Sequence, residues 1–434
     1  MTQHAIAVAR DDGPMRFLQA TAWAFVLLSP FMRTPVAALP ALMLIAALPV
    51  TLTFRAQGVV PWPLVWLGIL AAYQICSALA FGMPASNLTV FEFFRRDAKF
   101  YIAYLPLVAA TFMRLDYRSV ELMLRVLTVV VACIAALGVF EYALAMAGLR
   151  LRLQVALSPS GHLTLTGLST SHNAVGGYYA VVLAFAYGQL LAGAWRGFRW
   201  WAAATVIGLA MILTLSRAAI LGFATIAILT TLAWGSKRTL LAASAIGLLA
   251  VPLAGGGLID RILELRSPEQ VHNIAVRFEY WARASDYIQR SPLLGVGFSR
   301  FNDEPVAELA GQPGLVQWKV NPPVVNNDAH AHNAVLMAWA ETGLLGVCLW
   351  AAFLLSLAKA ARDLYRRRSE PPPVRGLAYG VVMAFGIILV ASMVANPIVT
   401  PSGVWVPGFF AGAMLGLSPR IDFANHSTNR EQST

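Results

Sequence analysis

Long apolar runs, each bounded by charged residues or by clusters of Pro and Gly, dominate the chain. They measure about 16 to 28 residues, the length a helix needs to cross a hydrocarbon core and too long for barrel strands. In order they predict about twelve spans: 17–32, 36–54, 59–82, 100–115, 122–147, 174–195, 200–216, 218–235, 239–258, 333–359, 376–396 and 403–418. The pattern breaks at a polar stretch from Arg150 to Asn173, and again from Ile259 to Ala331, where charged residues and Pro-rich turns replace apolar runs. The second break is long enough for a soluble loop or cap. The predicted organisation is therefore all-α: helices 1–9 in residues 1–258, a large loop or cap in 259–331, helices 10–12 in 332–418 and a polar tail in 419–434.

Composition agrees with that pattern. Of 434 residues, 58% are hydrophobic and 12% charged, and the mean hydropathy is +0.65, values of a polytopic membrane protein. The net charge of +11 is scattered between spans instead of gathered on one soluble face, so it argues for topology and against nucleic acid. Cys76, Cys133 and Cys348 all fall inside apolar runs; they form neither a disulfide framework nor a zinc cluster and read as small core residues. The first apolar run follows a tail with Arg10 and Arg16 and leads straight into another, as an uncleaved signal anchor does.

Lys359, Arg362, Arg366, Arg367, Arg368 and Arg375 surround one short connection, and Arg196/Arg199 and Lys237/Arg238 surround two others. All three are cytoplasmic together if the spans alternate, which places both termini inside and the 150–173 and 259–331 stretches on the outer, periplasmic face. Arg33, Arg95, Arg96 and Arg217 then lie outside against the usual bias, where a phosphate-bearing lipid would require them. No convincing internal repeat is present, which disfavours inverted-repeat transporters.

Three places carry candidate chemistry. Arg217 separates the runs ending at Ser216 and beginning at Ala218, so a permanently charged group sits at a membrane edge; the plainer alternative is a snorkelling arginine that ends a helix. In the outer loop, Arg277, Trp281, Ala284 and Ile288 recur at helical spacing on one face, before Pro292-Leu-Leu-Gly-Val-Gly297; the alternative is an amphipathic helix lying on headgroups. His332 stands at the mouth of the run that continues to about Lys359, where water meets lipid, and can exchange protons beside a lipid-borne substrate. Asp328, four residues earlier, would orient the imidazole if the helix starts early, and Asn333 would cap the helix or bond a hydroxyl. Gly343 and Gly346 are spaced for close helix contact. Glu341, about 180° around the helix from His332, should pack elsewhere, against another span's polar group. His330, Arg95 and Arg96, and the Gly167 to Asn173 stretch are weaker candidates.

His332-Asn333, nine residues, then Gly343-x-x-Gly346 resembles the signature of the O-antigen ligase and O-antigen or exopolysaccharide polymerase superfamily of bacterial inner-membrane glycosyltransferases. Ser216-Arg217 between two spans, and Arg277-x3-Trp281 followed by Pro-Leu-Leu-Gly-Val-Gly297, resemble further parts of the same superfamily. The resemblance implies a GT-C-like helical fold acting on glycans carried by undecaprenyl diphosphate. It implies that Arg217 and Arg277 bind the diphosphate, with Arg95 and Arg96 as supporting contacts, that Trp281 offers a sugar-stacking or interfacial platform, and that His332 activates the acceptor hydroxyl. The ligase pattern continues Thr-His after the second glycine, whereas Val347-Cys348 follow here; polymerisation is put first and ligation to lipid A core second.

No Asp-x-Asp, His/Cys/Asp ligand cluster or phosphate-cradling Gly-x4-Gly-Lys-Ser/Thr occurs. The expectation is a metal-independent, cofactor-free, inverting enzyme of exopolysaccharide or lipopolysaccharide biosynthesis. Its partners would be the lipid-linked oligosaccharide, a glycan or lipid A core acceptor, the membrane, and chain-length or export proteins. A transporter or flippase would place charges deep within several spans, and a structural export subunit would tolerate loss of His332.

Overall fold

The computed structural model describes residues 13–31, 60–81, 103–113, 115–149, 151, 153–157, 163–168, 171–234, 272–301, 331–393 and 403–417. The runs expected at 36–54 and 239–258 lie outside these residues, as do Arg33, Arg95, Arg96, Asp328, His330 and the tail from 419.

The described elements, in order, are α1 (Gly13–Leu28) with a 3-10 turn (Ser29–Phe31), α2 (Trp62–Ala80), α3 (Ala103–Phe112), α4 (Tyr117–Met146), β1 (Val155–Leu157), β2 (Leu163–Leu165), α5 (His172–Leu191), α6 (Phe198–Leu213), α7 (Arg217–Trp234), α8 (His272–Arg290), α9 (Ala334–Arg366), α10 (Pro372–Ala391) and α11 (Gly403–Leu417). The class is all-α. Helices α2, α4, α5, α9 and α10 are long and apolar enough to cross a membrane, and α1, α3, α6, α7 and α11 carry shorter apolar stretches. Helix α9 runs to Arg366, past the Lys359 expected as its end, and the ion pair from Lys359 to Asp363 (2.8 Å) supports the added turns.

Glycines let the helices touch backbone to backbone. A Cβ on Gly188 of α5 would lie 2.6 Å from the Gly376 carbonyl and 2.8 Å from the Gly380 amide of α10, and one on Gly222 of α7 would lie 3.0 Å from the Ile387 carbonyl. In a lipid solvent such contacts replace the hydrophobic drive that water would supply. Polar pairs add to them: Tyr187 Oη with Thr231 Oγ1 (2.7 Å), and Gln189 Nε2–H to the Pro373 carbonyl (3.1 Å).

These bonds also order the bundle. Gln189, at the end of α5, meets the start of α10; Ser392, at the end of α10, accepts from the Ala334 amide at the start of α9 (2.7 Å). Near the start of α5, Gly176 packs on Thr214 and Ser216, just before α7. The first turns of α5, α7 and α9 are thus gathered at one end, which holds His332.

The polar 150–173 stretch holds a hairpin pairing Val155 with Leu165 and Leu157 with Leu163. Both oxygens of the buried Glu141 on α4 anchor it, accepting the Leu153 and Gln154 amides at 2.7 Å, and Leu165 fills the space beside Gly138. Three-residue strands carry too little periodicity to stand out from a loop. The cysteines are not core residues: Cys76, Cys133 and Cys348 are all exposed on the outside of the protein, because a helix in lipid can turn small apolar side chains outward at no cost.

Candidate functional site at the His332 end

Helix α9 is broken near its start. Gly343 has φ 65° and ψ −174°, a conformation open to glycine alone, and the break removes the donors that would normally reach the Ala340 and Glu341 carbonyls. The segment after α8 replaces them. The Val296 amide donates to the Ala340 carbonyl (2.9 Å) and the Gly297 amide to the Glu341 carbonyl (3.0 Å). In return the Leu344 and Leu345 amides donate to the Pro292 (2.9 Å) and Leu293 (3.3 Å) carbonyls. Tyr73 Oη–H on α2 takes the Thr342 carbonyl at 2.9 Å. Every backbone group freed by the break and named here is bonded again, as a site bordering lipid requires.

The fit is close enough to exclude side chains. A Cβ at Gly295 would collide with the Glu341 carbonyl, and one at Gly343 with the Leu293 carbonyl. Pro292-Leu-Leu-Gly-Val-Gly297 and Glu341-Thr-Gly343 are two halves of one lock. Gly343 therefore opens the helix and does not serve as a helix-contact glycine. Gly346 does allow close contact, with Thr342 of its own helix and Tyr73 of α2.

The lock carries α8 onto the first turns of α9. The buried face of α8 is Tyr280, Arg283, Ala284 and Tyr287; Tyr280, Ala284 and Tyr287 form a small separate core with Phe301, Ala331 and Ala340. That face is rotated from the one expected through Arg277, Trp281, Ala284 and Ile288, of which only Ala284 is fully covered. Trp281 Nε1–H donates to the Ala331 carbonyl (2.8 Å), and the Tyr280 ring stacks on His332 with centroids 6.3 Å apart at 23°.

His332 itself has φ 49°. Helix α9 begins only at Ala334, capped by Asn333, whose Oδ1 accepts the Val335 (3.1 Å) and Leu336 (3.0 Å) amides. His332 is consequently outside the helix. The one-turn relation to Asp328 required an earlier helix start, and Asp328 itself lies outside the described residues. Among the described residues the three non-glycine positive-φ positions are Leu215, Ser299 and His332. Leu215 precedes Ser216-Arg217 and Ser299 follows the lock. Strained conformations of this kind persist where surrounding structure enforces them, and they gather at functional sites.

Arg217 opens α7. A cation at a helix N-terminus opposes the helix dipole, so its placement is not a capping preference. Arg277, half-buried on α8, has its pKa lowered first by burial and then by the positive charge of Arg217. Residues far apart in sequence thus bring two guanidinium groups within electrostatic reach at the His332 end, a like-charge arrangement that an anion would relieve. Tyr280, Arg283, Tyr73 and the role of Glu341 in the lock were not singled out from sequence as parts of the site. The i, i+4, i+7 run of Tyr280, Ala284 and Tyr287 was the available signal.

No curated protein matches the chain. Residues 202–351 match a family model described as O-antigen ligase, an interval that holds Arg217, Arg277, both halves of the lock and His332. The match supports, over this interval, the resemblance to the O-antigen ligase and polymerase superfamily of membrane enzymes.

Proposed function

We propose that the protein is an inner-membrane glycosyltransferase of the GT-C type that transfers a glycan from undecaprenyl diphosphate at the periplasmic face. Both termini are placed in the cytoplasm. The observation that carries the reading is the Arg217–Arg277 pair: two cations from different elements, one of them desolvated, at the end that also holds His332.

In the proposed reaction the acceptor hydroxyl oxygen attacks the anomeric carbon of the donor sugar from the face opposite the diphosphate. The new glycosidic bond forms as the bond from that carbon to the diphosphate oxygen breaks, which inverts the anomeric configuration. The hydroxyl proton passes to His332, and the negative charge growing on the departing diphosphate meets Arg217 and Arg277. No metal is invoked, because the two guanidinium groups supply the positive charge the leaving group needs. Trp281, its indole fixed on the Ala331 carbonyl, offers a face to a sugar beside His332. Asn333 serves by capping α9 and so fixing where His332 stands.

Polymerisation of repeat units is the first reading, since Val347-Cys348 stand where the ligase pattern has Thr-His. Ligation to lipid A core is the second, favoured by the description of the matching family model. Deleting the gene and sizing the lipid-linked pool separates them. Single lipid-linked repeats with no polymer indicate a polymerase, and long unattached lipid-linked chains a ligase. An unchanged pool with normal surface polysaccharide contradicts both.

A further inference from the structure

Two buried side chains of opposite charge have no part in the reaction above. Arg283 on α8 is 3% exposed and Glu341 on α9 is 5% exposed. Arg283 Nη1–H donates to the Phe301 carbonyl (3.2 Å), and the Phe301 amide donates to Glu341 Oε1 (3.3 Å). Two elements therefore hold opposite polar groups of one residue. The Phe301 ring is gripped as well: the Arg283 guanidinium lies 5.8 Å from its centroid, and Tyr280 and Tyr287 meet it edge-on at 6.5 and 5.8 Å.

Stability alone is a poor reason for this arrangement. Burying an ionised arginine and a carboxylate costs several kcal/mol each, and well-packed apolar residues of similar volume are often as stable or more so. Arg283 Nη2 has no hydrogen-bond partner among the described residues, so the guanidinium is not fully repaid even here. Direction is what the pair supplies. The lock holds the C-terminal end of α8 on α9, and Tyr280 and the Trp281 bond hold it beside His332. Between these two attachments the link through Phe301 to Glu341 adds a directional polar grip on the buried face of α8, which sets its rotation.

We propose that Arg283 and Glu341 are positioning residues which, through the backbone of Phe301, set the rotation of α8 and so hold Arg277 toward Arg217 while Tyr280 and Trp281 stay on His332. This rests on the reading of Arg217 and Arg277 as the diphosphate site and goes beyond it by naming what holds that site together.

The test uses the full-length protein in nanodiscs with both charges removed together, Arg283→Met with Glu341→Leu, since removing one would strand the other in an apolar core. Amide exchange of residues 291–301 and steady-state transfer from a lipid-linked oligosaccharide are measured. The expected result is faster exchange at the Val296, Gly297 and Phe301 amides, with KM for the lipid-linked donor raised about tenfold and kcat within about threefold of wild type. Unchanged exchange or unchanged KM overturns the proposal. If the double variant does not accumulate, Arg283→Lys is judged by the same KM criterion; it keeps the charge but lacks the planar fork. Arg277→Gln is the control. If it raises KM and the double variant does not, the positioning role alone fails; if it leaves KM unchanged, the diphosphate reading fails and this proposal with it.

Discussion

Arg277 on α8 feels the positive charge of Arg217 at the start of α7, and burial together with that repulsion lowers its pKa. A basic group whose folded pKa lies below its unfolded value destabilises the fold as long as it is charged, and the penalty is relieved only as pH rises through that folded pKa, far above neutrality. Around neutral pH the cost is constant and works against folding. Arg217→Gln and Arg277→Gln should therefore leave thermal stability of the ligand-free protein at or above wild type, while transfer falls by about two orders of magnitude, the scale of losing one electrostatic contact to a leaving group. Thermal unfolding and transfer assays on the same preparations check both halves.

Inorganic diphosphate should raise the melting temperature of the wild-type protein more than chloride at equal ionic strength. Saturation at about a hundredfold over Kd corresponds to about 2.7 kcal/mol of added stability. Either glutamine variant should lose most of that shift, as followed by differential scanning fluorimetry.

Gly343→Ala and Gly295→Ala should each destabilise the protein by more than about 1 kcal/mol, because alanine is strained at positive φ and its Cβ would strike backbone across the lock. Gly148, also at positive φ but with open space around its Cβ position, should be less damaging as alanine. Membrane abundance and detergent melting temperature of the three variants give the comparison.

Asn333→Asp should preserve stability and activity, whereas Asn333→Ala should cost about 1 kcal/mol of stability, if the residue acts as the α9 cap. Loss of transfer in Asn333→Asp at full stability would point instead to a bond from the amide nitrogen to the acceptor.

Glu141→Gln should loosen the β1–β2 hairpin, since an amide oxygen replaces one carboxylate oxygen and its NH2 faces a backbone donor. A cost of about 1–3 kcal/mol is expected. Limited proteolysis within residues 150–165 is the readout.

The apolar runs were legible because a lipid solvent leaves the backbone few options: runs of this length in such a chain become helices, and those at α2, α4, α5, α9 and α10 did so with edges shifted by a few residues. Arg217, Arg277 and His332 were legible as charged or titratable groups at the ends of apolar or amphipathic runs. The lock was not. Gly343 reads as one more helix glycine until the backbone of Leu293 is seen beside it, and no periodicity links residues 292–297 to 340–345. Arg283 escaped for a related reason: its neighbours Tyr280, Ala284 and Tyr287 mark a buried face, but an arginine on a soluble helix is ordinarily assigned to solvent. The hairpin was missed because Glu141, which organises it, lies on the preceding helix.

The most direct measurement is transfer by purified His332→Ala in nanodiscs with a defined undecaprenyl-diphosphate-linked oligosaccharide and its acceptor, beside wild type and Arg277→Gln. The account predicts that His332→Ala binds the lipid-linked donor as wild type does but transfers at least about a hundredfold more slowly, as loss of a general base requires, whereas Arg277→Gln is weakened in donor binding. Wild-type turnover by His332→Ala would contradict it.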